Sequence, residues 1–384
     1  MRLVLVPAFA CLLVAAPATR VQAQVAVSAN DGKSALVNGA TAVSRTPAPD
    51  SVTVLDLSVW PPRVAGTVRA PASVVGPPQS AAIAPDRSLA LVTSALKLDP
   101  ADPSKTVPDD VVSVIDLRAS PPVVLAALRA GRQPSGVSIN DSGTLALVAN
   151  RADGTISVFA IDGTRVTPAG IVDLGAKDSG PSHVAFTPDG SRALVTRNND
   201  SLVSILAVSG TTVTYTKQDV VAGLKPYGLE IAPKGDLAIV ANIGAGGTGG
   251  ADTLSVIDLT PAAPRAVDHV SVGPTPEGIA ISPDGRYVAV TVMNGSNAAP
   301  ASPFAHDYGL LKILRLEGAT LRAVTEAKIG RWCQGVAWHP GGRSLLAQCT
   351  AERAIRTFRF DGTRLTPGPA IPVDGGPVGL RVRD

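Results

Sequence analysis

Apolar and polar positions alternate along most of the chain in runs of four to eight residues, which predicts half-buried and buried β-strands. The runs are separated by turns rich in Pro, Asp and Gly. One unit recurs seven times: an apolar strand, a short turn, then a second apolar strand. Its copies are Val27-Ser-Ala-Asn-Asp-Gly32, Ile83-Ala-Pro-Asp-Arg87, Ile139-Asn-Asp-Ser-Gly143 and Phe186-Thr-Pro-Asp-Gly190. They continue with Ile231-Ala-Pro-Lys-Gly235, Ile281-Ser-Pro-Asp-Gly285 and Trp338-His-Pro-Gly-Gly342. Asp and Pro start such turns, and Gly accepts the positive φ that closes them. A third strand follows each copy, as in Val52-Thr-Val-Leu-Asp-Leu57 and Leu254-Ser-Val-Ile-Asp-Leu259. A Gly-x-x-Pro-x-Gly segment then leads into the next unit, as in Gly131-Arg-Gln-Pro-Ser-Gly136 and Gly273-Pro-Thr-Pro-Glu-Gly278.

The turns lie 55, 55, 48, 45, 50 and 57 residues apart. Four strands per period at this spacing predict an all-β fold, a seven-bladed β-propeller of four-stranded antiparallel blades. No 3.6-residue period supports a helical solenoid. The last segment, Gly379-Leu-Arg-Val-Arg-Asp384, begins an eighth copy and stops. The ring is therefore expected to close with N- and C-terminal strands in one blade, and both ends resemble the innermost strand. Bulky and small residues alternate in that strand, as in Ile279-Ala280-Ile281 and Val336-Ala337-Trp338, so that the next blade can approach. Glu230 breaks the alternation. It either faces the channel, in water or beside a basic residue, or is a buried carboxylate with a raised pKa.

The consensus Gly-Val-Ala-Ile-Ser-Pro-Asp-Gly, followed by Val-Ala-Asn and Ser-Val-Ile-Asp, resembles the YVTN-type β-propeller repeat of exported bacterial proteins, which is related to lactonase-like seven-bladed propellers. Tyr287-Val288-Ala289-Val290-Thr291 and Leu194-Val195-Thr196-Arg197-Asn198 stand where that repeat carries Tyr-Val-Thr-Asn. The resemblance covers roughly residues 25–384 and speaks for the fold more than for function.

Composition narrows the class. The chain has 384 residues, 45% hydrophobic but only 3% aromatic, so its core is aliphatic and disorder is excluded. Residues 1–23 read as an export signal: Arg2, an apolar stretch from Leu3 to Ala16, and small residues at Val21-Gln22-Ala23. A single propeller domain, 24–384, follows, with no transmembrane segment expected. Cleavage removes Arg2 and Arg20 and leaves 32 basic against 31 acidic residues, which gives no general attraction to nucleic acid. The expected location is periplasmic or secreted, as a monomer.

Strand order puts the connections into each blade and those between its second and third strands on one face. The latter are long at 39–50, 94–110, 243–252 and 294–309, and short at 151–154, 199–200 and 350–353. Function concentrates on such variable loops. Gln79, Ser135, His183, Tyr227, Glu277, Cys333 and Val378 are expected to ring the channel mouth there. Asn150, Arg197, Asn198, Asn242, Asn294 and Gln348 end the second strands. Tyr227, Asn150, Asn198, Asn242, Asn294 and Gln348 are the candidate ligand-binding residues; His183, Glu277, Arg197 and Arg331 are the candidate catalytic ones. The plain alternative is that these groups only solvate a polar axis.

Cys333 and Cys349 flank Pro340-Gly341-Gly342 symmetrically. In a regular hairpin they face each other, which with export predicts a disulfide; two buried thiols are the alternative. The Asp99, Asp102, Asp109 and Asp110 loop fits no ordered calcium spacing. Gly244–Gly250 lacks the Lys of a phosphate loop. No haem motif or zinc spacing is present, so no cofactor and no metal are expected.

Two readings of function stand side by side. One is an exported binding or scaffold propeller, holding a small molecule or an exported protein at the loop-bearing mouth. The other follows from the resemblance: a lactone hydrolase in which Glu277 or His183 activates water and Arg197 or Arg331 stabilises the oxyanion. The family's Pro-Arg-His is Pro181-Ser182-His183 here, and its Val-Asn-Glu is Thr196-Arg197-Asn198. DNA binding, known among YVTN-type propellers, draws little support from the charge balance.

Overall fold

A computed structural model describes residues 24–246 and 249–383; the export-signal reading and part of the Gly-rich run lie outside them. Seven antiparallel sheets surround one axis, each four strands wide from channel to rim. Strands are named a to d outward. In blade 1, strand a is Gly376–Arg383 and strand b is Val25–Asp31, followed by Ser51–Asp56 and Arg63–Arg69. The C-terminal strand therefore takes the innermost place and pairs with the N-terminal one from Val25↔Arg383 to Asp31↔Gly376. Blades 2 to 7 follow in chain order. The outer edge of blade 7 is broken into Leu365–Pro367 and Ile371–Pro372.

Closure revises one sequence expectation. Val27–Gly32 imitates an a–b turn but lies at the b–c end of blade 1, because strand a comes from the other terminus. The chain break occupies the seventh a–b junction. In the six real turns one residue has positive φ: Gly143, Gly190, Gly235, Gly285 and Gly342 lie at 67–73°, with Arg87 at 56° in their place. Its N–H closes the turn, for example Gly143 N to Asn140 O at 2.9 Å.

Apolar side chains pack between neighbouring blades, as where Tyr287, Ile313 and Leu311 meet Val336, Trp338 and Phe358. The inner strands come close enough for backbone contact. A Cβ on Gly228 would stand 2.5 Å from the Glu277 carbonyl oxygen, so this position tolerates only glycine. The threonine near the end of strand b joins blades: Thr196 Oγ1 donates to Tyr227 O at 2.8 Å, and Thr93 and Thr291 donate to Ser135 O and Gln334 O. Sequence thus links to assembly: the Thr of the repeat is interblade glue.

Cys333 and Cys349 are directly paired across strands a and b and form a disulfide with S–S 2.09 Å. Both are fully buried. In a chain of residues 24–384 we expect no titratable thiol in denaturant without reductant. The double Cys333→Ala/Cys349→Ala variant should lose roughly 3 kcal/mol, by the chain-entropy reckoning for a loop of this size. Urea unfolding measures it, and two free thiols in the oxidised protein would contradict the bridge.

Candidate functional site

Strand register defines the ring at the loop-bearing mouth. The last residue of strand b pairs with the first of strand a: Asn150 with Pro134, Arg197 with Pro181, Asn242 with Pro226, Val292 with Pro276, Cys349 with Cys333. The following residue of strand a is the ring position. It is held by Gln79, Ser135, Ser182, Tyr227, Glu277, Gln334 and Val378. Two expected members are therefore displaced by one. Cys333 occupies the Pro position and Gln334 the ring; His183 stands where most blades carry Gly, and Ser182 takes its place. The missing glycine in blade 4 and the missing proline in blade 7 hid this alignment.

The mouth is closed. The connection from blade 1 to blade 2, residues 70–78, crosses it as a strap, with Ala72, Ser73 and Val74 buried. Val74 packs with Met293, Trp332 and Val378. Beneath the strap lies a buried polar cluster. Gly76 N–H donates to the Tyr227 hydroxyl at 3.1 Å, and Gln334 Nε2 donates to Glu277 Oε2 at 2.9 Å and to Val74 O at 3.4 Å. Arg151 donates to Ser182 Oγ and places its Cζ 5.6 Å from the Tyr227 ring centroid. Burial lifts the Glu277 carboxyl to about 7, although the Gln334 bond and the Arg151 charge pull it down. Burial and the Glu277 charge push the Tyr227 phenol up. His183 is buried; desolvation first and then the Arg381 charge hold its imidazole down to about 3, so it is neutral. Its Nδ1 has no hydrogen-bond partner among the described residues.

The strap is held from outside. Lys33 Nζ donates to Asp50 Oδ2 at 2.8 Å and to Ala72 O, and lies 3.5 Å from Asp31 Oδ2. Asp31 Oδ2 accepts Val74 N–H at 2.8 Å, and Asp50 Oδ2 accepts Ala72 N–H at 3.1 Å. All three side chains are largely buried. Burial raises the Asp50 carboxyl, with Lys33 opposing it.

The other expected residues are dispersed. Arg197 is buried in blade 4, paired with Asp200 at 2.5 Å and bonded to Tyr215 Oη at 3.2 Å, away from the ring. Asn150 and Asn242 clamp their own blades: Asn150 Nδ2 donates to Thr155 and Ser157, Asn242 Nδ2 to Thr253 and Ser255. Asn30, which sequence reasoning passed over, does the same with Ser51 and Thr53. Asn198 donates to Pro226 O at 3.3 Å, and Gln348 to Ser28 Oγ and Gly379 O at 2.8 Å each. Asn294 bonds Tyr308 O inside its loop. Glu230 pairs with Arg381 at 2.6 Å, low in the channel. Thus Glu277 and Tyr227 share the cluster, Arg197 leaves it, and Arg151 and Gln334 join it. Arg151 was findable as the residue after the Asn that ends strand b.

Off the axis, two adjoining cavities of about 240 and 350 Å³ on the same face share Leu36 and Arg331. One long insertion supplies a hairpin, Ser34–Val37 with Ala40–Val43; another supplies Ser296, Ala298 and His306. The Arg331 side chain is more than half exposed and lies 3.7 Å from Glu352. Arg353 lines the same groove and has no ion-pair partner among the described residues. The long 94–110 connection is mostly strand: strand b runs to Leu98 and strand c starts at Thr106.

Geometry alone defines a closed seven-bladed propeller with a sealed polar axis on its loop-bearing face. A family model described as Lactonase, 7-bladed beta-propeller, matches residues 115–223 and 171–312, together just over half of the chain. The chain belongs to this lactonase family of propellers. Among solved structures it is similar to a Pseudomonas aeruginosa periplasmic gluconolactonase at 15% identity, covering 94% of this chain and 99% of that one with TM-score 0.66. A Bacteroides fragilis protein described as a candidate 6-phosphogluconolactonase gives 17% identity, 96% and 100% coverage and TM-score 0.72. A Desulfotomaculum acetoxidans protein of unknown function gives 13%, 94%, 98% and 0.69. At such identities these likenesses speak for the fold. No functionally curated protein matches the chain.

Proposed function

We propose that this chain is an exported, non-catalytic binding propeller that takes an anionic ligand in the off-axis groove around Arg331. The carrying observation is a contrast on one face. The axial cluster is roofed by the strap, whereas the groove is open: two long insertions wall it, one bringing His306, and Arg331 from the connection into blade 7 and Arg353 from the short b–c turn of blade 7 line it. Two guanidinium groups, one without an acidic partner, suit a carboxylate or phosphate. Export is supported by the buried disulfide, since such bonds persist in oxidising compartments. No helix among the described residues is long and apolar enough to cross a membrane.

Capture from an extract of exported proteins and metabolites tests the groove. The wild type should retain an anionic species that Arg331→Ala/Arg353→Ala releases, with at least tenfold weaker binding at low salt. Equal retention by both proteins would move the site elsewhere.

A lactone hydrolase is the second reading, favoured by family membership and by Glu277, whose carboxyl near 7 suits proton transfer at neutral pH. Water deprotonated by Glu277 would add to the lactone carbonyl carbon, the ring C–O bond would break, and the proton would pass to the alkoxide. Arg151 is the cation in the cluster, because Arg197 is engaged by Asp200. Substrate reaches Glu277 only if residues 70–78 move. On the first reading, no sugar or acyl lactone is hydrolysed above background. Turnover that falls a hundredfold or more in Glu277→Gln would establish the second instead.

A further inference from the structure

The opposite end of the channel is open. A cavity of about 380 Å³ enters there, among the a–b turns, and runs inward to Gln79. We propose that it is a second binding site, for a small hydroxycarboxylate bound carboxylate-outward. It opens on the face opposite the loops, meets the loop-side ring only at Gln79, and does not depend on which reading of that face holds.

Three observations meet in this cavity. First, Arg381 and Arg383 alternate along the innermost strand of blade 1, so both point to one side of it, and both line the cavity. Arg381 spends Nη1 on Glu230 at 2.6 Å, and Arg383 spends Nη2 on Asp141 at 3.0 Å. Each fork keeps further N–H donors. The Arg383–Asp141 pair is exposed enough to be worth little, so a ligand carboxylate can replace Asp141 at small cost. Second, the walls are apolar, with Ile279 and Val336 among them. Third, the inner end carries a polar group without a protein partner. Gln79 is 3% exposed, lines the cavity, and its Oε1 has no hydrogen-bond partner among the described residues. A buried amide oxygen left unpaired is costly; Oε1 is itself shielded from the cavity, so the Gln79 amide accepts a ligand hydroxyl by turning toward the lumen.

The sequence order of chemistry is thus cationic mouth, apolar middle, acceptor at the base. It matches a short chain with a carboxylate at one end and a hydroxyl toward the other. Glu230 and Asp141 balance the two arginines and weaken the site for dianions. The cavity lies within the size range of small-molecule sites.

Isothermal titration of the mature protein with 4-hydroxybutyrate, gluconate, butyrate and 1,4-butanediol tests this. At least one hydroxy acid should bind saturably and more tightly than butyrate or the diol. Arg383→Gln, which alters an exposed pair and should fold, should weaken it about tenfold. Gln79→Leu should weaken the hydroxy acid and leave butyrate unchanged. Saturable binding by neither hydroxy acid would overturn the proposal, as would affinity unaffected by Arg383→Gln. Binding abolished by Arg331→Ala would also overturn it and assign the ligand to the other face, so the two sites' failures remain distinguishable.

Discussion

Lys33→Met should destabilise the protein by about 3–5 kcal/mol, the usual cost of removing one member of a buried ion cluster. Met fills nearly the same volume, so packing survives while the charge goes. Asp31 and Asp50 are then left facing each other without a cation. Asp50 already has a carboxyl raised by burial, and its protonation will absorb part of the cost. Asp31 still receives Lys33 N, Ser34 N and Val74 N, so the strap loses its fastening at Ala72 first. Urea unfolding at pH 7 gives the energy. Amide exchange at Ala72, Val74 and Gly76 tests the location: these three should lose protection before the inner strands do. Asp50→Asn added to Lys33→Met should recover at least 1 kcal/mol, because it removes the stranded charge. If the single variant costs less than 1 kcal/mol and leaves strap exchange unchanged, Lys33 is not what holds the roof.

The strap also explains how far the sequence could be read. The fold was legible because the blades write their turns and their inner-strand alternation locally, and three of them add the Thr of strand b (Thr93, Thr196 and Thr291). The turn recurs in six blades, Glu230 interrupts the alternation, and blade 1, where the termini meet, departs most. There Asn30-Asp31-Gly32 has turn chemistry, yet Asn30 acts as a strand-b clamp on Ser51 and Thr53. The site was less legible because it depends on residues from different blades. Arg197 was expected at the mouth, but Asp219 and Tyr215, two strands outward, help draw it into its own blade. His183 and Cys333 were misplaced by one because their neighbours lack the expected Gly and Pro. The roof did leave a signal in chain length. Eight residues separate Arg69 from Pro78, whereas four separate Arg129 from Pro134. An apolar connection longer than its repeats must bury itself somewhere, and the channel mouth is the nearest place.

What a sealed axis does to chemistry is visible in its pH behaviour, and Glu277 and His183 should pull in opposite directions. Glu277 rises from 4.5 to about 7 in the fold, so between those values the native state holds the extra proton. Its contribution is fully present below 4.5 and is lost as pH rises toward 7. His183 falls from 6.5 to about 3, so in that interval the unfolded state holds the extra proton. Its contribution is full above 6.5 and is lost as pH falls toward 3. The two slopes largely cancel between 4.5 and 6.5. Each variant should uncover the other group. Relative to wild type, Glu277→Gln should gain stability as pH rises from 4.5 to 7, by on the order of 3 kcal/mol. His183→Asn should lose its advantage at high pH, by on the order of 5 kcal/mol across 3 to 6.5. Urea midpoints at half-unit steps from pH 2.5 to 8 measure both differences. Parallel profiles for wild type and Glu277→Gln would mean that the carboxylate is hydrated in solution. The roof would then be open often enough for substrate and water to pass, but Glu277 would lose the burial that lifts its carboxyl toward 7 and favours the hydrolytic reading.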